Sequence, residues 1–311
     1  MSFSSEVKEE LVQQVSNARH CQIAELTALL LTGGTRFSPN IHLKTENFRV
    51  AKKFSVLVHR IFGISCQVRI RTYMGHKMAT LYEVVVTDMK QSGQILQACK
   101  LMDSNELNHL VVQKDCCKRA FLRGAFLTSG SVNNPEKSYH FEIACENLKL
   151  AEDIQELMNF FELDGKIVIR KKYHVVYIKE GAMIVDALNV MEAHRALMNM
   201  ENVRILKDVR NQTNRKVNCD LANINKTLTA AQRQLEDIRL IEQKKGFGSL
   251  NDGLRQVAEL RLQEPDISLK ELGELLQPPV SKSGVNHRLR KLSEIAESLK
   301  QEAVFDKSAE K

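Results

Sequence analysis

The residues best suited to act on another molecule lie at 281–292, SKSGVNHRLRKL. Lys282, Arg288, Arg290 and Lys291 are cations that attract phosphates, and an arginine also fits the acceptor edge of guanine. Asn286 carries the donor–acceptor pair that matches adenine, Ser281 and Ser283 can bond to a sugar–phosphate backbone, and His287 stands beside them. No acid occurs between Val280 and Leu292. Surface helices ordinarily mix charge signs for solubility and i,i+4 pairing. An all-positive face with amide and hydroxyl groups therefore points to double-stranded DNA, the alternative being a solvated helix in a small bundle.

Two short helices must position this string. Ser268 and Glu271 form a capping box that opens a helix with Leu269, Leu272, Leu275 and Leu276 turned inward. Pro278 and Pro279 forbid its continuation. Ser281 can cap a second helix that places Val285, Leu289 and Leu292 on one face. A helix, a tight turn and a basic second helix make the helix-turn-helix pattern, whose second helix enters the major groove.

Elsewhere the chemistry is sparse. Seven cysteines (Cys21, Cys66, Cys99, Cys116, Cys117, Cys145 and Cys219) are scattered, with no CxxC pair and no histidine at zinc spacing. Cys116-Cys117 suits a redox pair or metal ligands, but the expectation is buried, reduced thiols at a helix start. None of the nine histidines is expected to bind a metal, and no cofactor is expected. Gly33-Gly34 lacks the flanking pattern of a phosphate cradle and reads as a helix C-cap.

Composition sets wide limits. The 311 residues are 43% hydrophobic and 27% charged, as in a soluble globular protein of two domains. No apolar run approaches the roughly 20 residues of a membrane span. The acidic start, with Val7, Leu11 and Val15 at helical spacing, is an amphipathic helix rather than a signal peptide. A cytoplasmic, nucleoid-associated protein without a membrane partner is expected. The net charge of +7 permits a polyanionic partner without demanding one.

The larger part of the chain is organised around 121–130, FLRGAFLTSG, and a second copy at 26–34, LTALLLTGG. Both set small residues (Thr27 and Ala28, Gly124 and Ala125) among large aliphatic ones and close on glycine. Small residues let helix backbones approach, and the closing glycine suits a left-handed helix end. After the first copy come 41–47, a helical run with Ala51, Phe54, Val58 and Ile61, and then 66–71. After the second come 139–143, a run with Ala151, Ile154, Leu157 and Phe161, and then 166–170. Each block reads helix, strand, strand, helix, strand, strand, helix, and two such blocks are expected to share one core. Gln67, Arg69 and Arg71 fall on one face of their strand; Lys166, Arg170 and Lys172 occupy the matching place, either as a DNA-facing surface or as a solvated one. A turn is expected at 73–76.

This duplicated αββαββα unit resembles the LAGLIDADG homing-endonuclease fold. In that family an acid just before the closing glycine of each central helix binds the catalytic metal. Here those positions hold Gly33 and Ser129, which cannot supply an anionic ligand. With the helix-turn-helix and its SKSGVNHRLRKL string, the whole chain resembles the WhiA family of bacterial transcription regulators of sporulation and cell division. The resemblance implies promoter binding, with effects on sporulation or on division and chromosome segregation, and no enzyme activity. An active endonuclease and a mainly protein-binding scaffold are the competing readings.

The expected class is α+β: a degenerate LAGLIDADG-like domain at 1–205, with repeats at about 19–105 and 115–205, then an all-α helix-turn-helix domain at 223–300. The polar stretch 208–216 is expected to lie in a linker at 206–222, and 301–311 to be a flexible tail. The N-terminal domain is expected to add a second DNA contact, to bind a protein partner, or both.

Overall fold

The computed structural model describes residues 2–37, 40–74, 78–102, 104 and 106–309. The chain divides into two compact units, Met1–Val209 and Arg210–Lys311. The first opens with α1 (Phe3–Leu11), whose Val7 and Leu11 are buried. The first repeat follows as α2 (Arg19–Gly33), β1 (Gly34–Phe37), β2 (Asn40–Thr45), α3 (Phe48–Phe62), β3 (Gln67–Met74), β4 (Met78–Val86) and α4 (Met89–Ala98). The turn expected at 73–76 lies partly outside the described residues. The second repeat is α5 (Asp115–Ser129), β5 (Gly130–Val132), β6 (Phe141–Cys145), α6 (Leu148–Phe160), β7 (Lys166–Arg170), β8 (Tyr173–Ile178) and α7 (Gly181–Val190).

Each repeat builds one antiparallel sheet, in the order β1-β2-β4-β3 and β5-β6-β8-β7. One hydrophobic core serves both, joining Leu30, Phe54 and Val84 to Phe126, Ile143 and Val176. At its centre α2 crosses α5 closely enough that a Cβ on Gly124 would stand 2.6 Å from the Glu25 carbonyl oxygen and 2.9 Å from the Ala28 Cβ. The small residues thus perform the expected task. The closing glycines do not: Gly34 has φ −89° and Gly130 φ −85°, extended rather than left-handed. Each helix passes directly into a strand, and a Cβ on Gly34 would meet the Leu30 carbonyl oxygen at 2.5 Å. Glycine is required there by close approach, not by the sign of φ.

Burial also traps charge. Glu25 on α2 is fully enclosed and pairs with Lys53 of α3 and Arg123 of α5, and Arg123 reaches on to Glu192. Lys53 completes its shell on the carbonyls of Leu11 (2.8 Å) and Gln14 (2.7 Å). Two cations and two anions balance. Their cost in desolvation is offset only while every member stays paired.

Helix α8 (His194–Lys244) starts on the Glu10 carboxylate, which accepts from the backbone N–H groups of Arg195 and Ala196 at 2.8 and 2.9 Å. It continues through 206–222, where a linker rich in turn formers was expected. Asn, Asp and Thr only mildly disfavour helix, and neither Gly nor Pro occurs between Glu201 and Lys245. Thr227 and Thr229 satisfy their hydroxyls on the carbonyls of Asn223 and Asn225.

The second unit contains α9 (Asp252–Gln263), α10 (Leu269–Leu275) and α11 (Lys282–Ala309). Its core gathers Ile238 and Ile241 from α8 with Leu254, Val257, Leu272, Leu276, Val285, Leu289 and Leu292. Helix α11 runs to Ala309, across the stretch expected as a flexible tail, while 310 and 311 lie outside the described residues.

Candidate nucleic-acid interface

The turn between α10 and α11 is set by packing and by hydrogen bonds. Ser268 and Glu271 cap α10 reciprocally, side chain to backbone in both directions. Leu272 and Leu276 are buried, but Leu275, expected inward, is 57% exposed because the chain leaves the helix there. The Val280 N–H returns to the Gly273 carbonyl at 2.9 Å. A Cβ at Gly273 would meet the Val280 oxygen at 2.1 Å, so only glycine lets the two segments touch. The buried guanidinium of Arg261 holds the loop before α10 by donating to the Ile267 carbonyl at 2.7 Å. That clamp is invisible in the sequence, where Arg261 looks like one more surface cation.

Ser281 caps α11: its hydroxyl accepts from the Gly284 N–H at 3.3 Å and lies 3.0 Å from the Ser283 hydroxyl. Val285, Leu289 and Leu292 point into the core. With 3.6 residues per turn, Ser283, His287 and Arg290 then fall opposite that stripe, flanked by Asn286 and Lys291. All five are exposed, as are Ser281 and Lys282. Arg288 differs from its neighbours. It is half-buried, turned toward α9, and donates to the Gly253 carbonyl at 3.3 Å. The free face of the first three turns thus carries cations, an imidazole, an amide and hydroxyls, with Glu294 and Glu297 only beyond.

In the first unit the sheet register decides which way the basic strand residues face. Val84 and Val86 of β4 enter the core, so Glu83 and Val85 line the outer face. Arg69 pairs with Glu83 and Gln67 with Val85, which places Gln67, Arg69 and Arg71 outward together with His42 and Lys44. Lys166 and Arg170 are outward in the second sheet, and Lys172 is exposed in the turn between β7 and β8. In each sheet one carboxylate gathers a histidine and an arginine. Glu83 bonds His42 at 3.1 Å and lies 3.4 Å from Arg71; Glu142 bonds His140 at 2.9 Å and Arg170 at 2.7 Å. Burial pushes both carboxyls up, but the histidine hydrogen bonds and the cations more than offset it, so each sits below the ordinary value.

Gly33 and Ser129 close the two central helices side by side. Thr32 and Thr128 share a hydroxyl–hydroxyl bond there, and the Ser129 hydroxyl turns back to the Ala125 carbonyl at 3.2 Å. The nearest acids in sequence on these helices are Glu25, locked in the buried charge cluster, and Asp115, paired with Lys118 in the first turn of α5. A separate group could hold a metal: His20, Cys21, Cys116 and Cys117 converge, and Cys116 is exposed where a buried thiol was expected.

Two fused αββαββα repeats without acids at the helix ends, followed by a helix-turn-helix unit, define a LAGLIDADG-like helix-turn-helix protein. Three family models match the chain: the WhiA N-terminal LAGLIDADG-like domain over 19–102, the WhiA LAGLIDADG-like domain over 118–210 and the WhiA C-terminal HTH domain over 213–296. The chain belongs to the WhiA family. The "Probable cell division protein WhiA" of Lachnoclostridium phytofermentans is 51% identical, covering 97% of this chain and 100% of that protein. The protein of the same name from Desulforamulus reducens is 45% identical over 96% and 97%. Among solved structures, full-length WhiA from Thermatoga maritima is 25% identical, with a TM-score of 0.60 and coverage of 96% and 99%.

Proposed function

We propose that the chain is a sequence-specific double-stranded DNA-binding transcription regulator without nuclease activity. The observation that carries this reading is the acid-free exposed face of the first three turns of α11, presented by a helix-turn-helix whose inward face is committed to packing. Lys282, Arg290 and Lys291 supply phosphate attraction through counterion release. Asn286 and Arg290 stand where base edges would be read, with His287 and Ser283 between them. Ser281 and Ser283 anchor the helix start on the backbone. Arg288 orients α11 through Gly253 rather than reading bases.

The process is cell division, in keeping with the names of the relatives, with promoter control of division and chromosome segregation, or of sporulation in organisms that form spores. A cytoplasmic, nucleoid-associated location follows from that role. The outward cations of the first unit favour a second DNA contact there, alongside or instead of a protein partner. The test is selection of bound duplexes from a random pool by the full chain. Enrichment of one motif without strand cleavage is expected. Retention without any enriched motif would contradict sequence-specific regulation.

A further inference from the structure

The first turns of α2 and α5 bring together four soft ligands that the sequence keeps apart. Thr32 and Thr128, bonded across the helix pair, are 96 positions apart. The same offset relates His20 to Cys116 and Cys21 to Cys117, so each helix contributes two consecutive residues from equivalent places in the two repeats. A ring nitrogen of His20 and the three sulfurs all lie within 4.8 Å of one another. The His20 Nδ1 stands 3.2 Å from the Cys117 sulfur and 3.3 Å from that of Cys21.

Those distances are close to what a metal requires. A tetrahedral zinc with bonds of about 2.3 Å to sulfur and about 2.0 Å to nitrogen spaces its ligands roughly 3.5–3.8 Å apart. The two nitrogen–sulfur distances fall slightly inside that spacing, and no pair in the set exceeds it by more than about 1.3 Å. Cys21 and Cys117 are buried and held by the core, whereas His20 and Cys116 are exposed and leave an approach from solvent. A cleft of about 250 Å³ lined by His20, Leu110, Lys114 and Cys117 opens beside them.

The helix starts themselves are suited to anionic ligands. Neither N-cap residue, Ala18 nor Lys114, makes a side-chain cap bond, so first-turn N–H groups are left without that partner on both helices. Burial nevertheless pushes the Cys21 and Cys117 thiols up, so the charge of a bound metal is what would hold them as thiolates.

We propose that His20, Cys21, Cys116 and Cys117 form a Cys3His site for one zinc ion that ties the starts of the two repeats together. Binding replaces three thiol protons by one Zn²⁺, with the imidazole neutral, so three protons are released and the site carries one net negative charge. The helix N-termini and Lys114 face that charge. The ion would lock α2 against α5 at the end opposite Gly33 and Ser129, and its role is structural because all four positions are taken by protein.

The test uses the full chain purified under reducing conditions without chelator, with metal content by mass spectrometry and titration of the stripped protein with Zn²⁺ and Co²⁺. About one zinc per chain is expected, and Co²⁺ should give the sulfur-to-metal charge-transfer and intense d–d bands of a tetrahedral thiolate site. His20→Ala and Cys116→Ser, both at exposed positions, should keep the fold by circular dichroism and lower zinc affinity at least tenfold. Cys219→Ser on α8 should change nothing. Chelation should lower the Tm of the wild type but not of Cys116→Ser. Reduced, folded wild type that neither retains nor takes up zinc would overturn the proposal. So would zinc held equally by His20→Ala and Cys116→Ser, or a disulfide within the cluster in protein isolated anaerobically.

Discussion

Thr32 and Thr128 meet hydroxyl to hydroxyl one residue before Gly33 and Ser129, so the place where a LAGLIDADG nuclease would carry its acids is closed by a neutral contact. A Cβ at Gly33 would stand 2.7 Å from the Thr128 Cγ2 and 3.2 Å from the Leu43 Cδ1. No cleavage of duplex DNA is expected with Mg²⁺ or Mn²⁺. Gly33→Asp should lower stability by about 1–3 kcal/mol through overpacking, read by denaturant unfolding. Metal-dependent nicking that disappears on mutating a carboxylate would refute the first statement, and an unchanged midpoint for Gly33→Asp the second.

Glu83 makes stability depend on acid. Burial pushes its carboxyl up, but the His42 hydrogen bond and the charges of Arg71 and Lys44 leave it net below the ordinary value. A carboxyl lowered in the folded state stabilises fully above the unfolded pKa of about 4.3, and that contribution fades as pH falls through the lower folded value. The stability difference between wild type and Glu83→Gln should therefore be constant near neutrality and shrink on acidification below the ordinary carboxylate range. Thermal unfolding at a series of pH values reads it. A difference that stays level to the acid limit would remove Glu83 from the account.

Residues 210–230 of α8 are exposed on every side. Helix of that length without packing is marginal and opens locally. Backbone amides there should exchange with solvent orders of magnitude faster than those of Val257 or Leu289, and limited proteolysis should cut there to leave two folded fragments. Slow exchange throughout α8, or a single resistant core, would show that this stretch is packed.

Much of this architecture is legible in the chain because its signals are local. Small residues at Ala28 and Gly124 announce a close helix crossing, and Ser268 with Glu271 announces a cap, since each depends on neighbours a turn away. The α8 stretch misleads because polar turn formers resemble a linker, whereas Asn, Asp and Thr only mildly disfavour helix and neither Gly nor Pro interrupts this one. Leu275 and the closing glycines depend on where the chain goes next, which periodicity does not encode. The long-range features are hidden for a different reason. Arg261 on the Ile267 carbonyl, Glu25 between Lys53 and Arg123, and His20 beside Cys117 are pairings that only the fold creates.

Arg288 and Arg290 sit two residues apart and should fail differently. Arg288 donates to the Gly253 carbonyl and helps seat α11 on α9. Arg288→Ala should cost about 1 kcal/mol of stability in the second unit, as for loss of one half-buried hydrogen bond. Arg290→Ala should leave unfolding unchanged and weaken DNA binding. Equal unfolding midpoints for both variants would mean that the Gly253 contact carries no energy.

The central claim is that α11 reads DNA, and the most direct test is binding of alanine variants to a selected duplex and to a scrambled one across a salt series. Lys282→Ala or Lys291→Ala should weaken both duplexes alike and reduce the salt dependence by about one charge. Asn286→Ala or Arg290→Ala should cost on the order of 1–3 kcal/mol on the selected site and much less on the scrambled one. All four should unfold like the wild type, since none of these side chains enters the apolar stripe of Val285, Leu289 and Leu292. Four folded variants that bind both duplexes as the wild type does would show that α11 is not the reader and would move the interface to the sheets of the first unit.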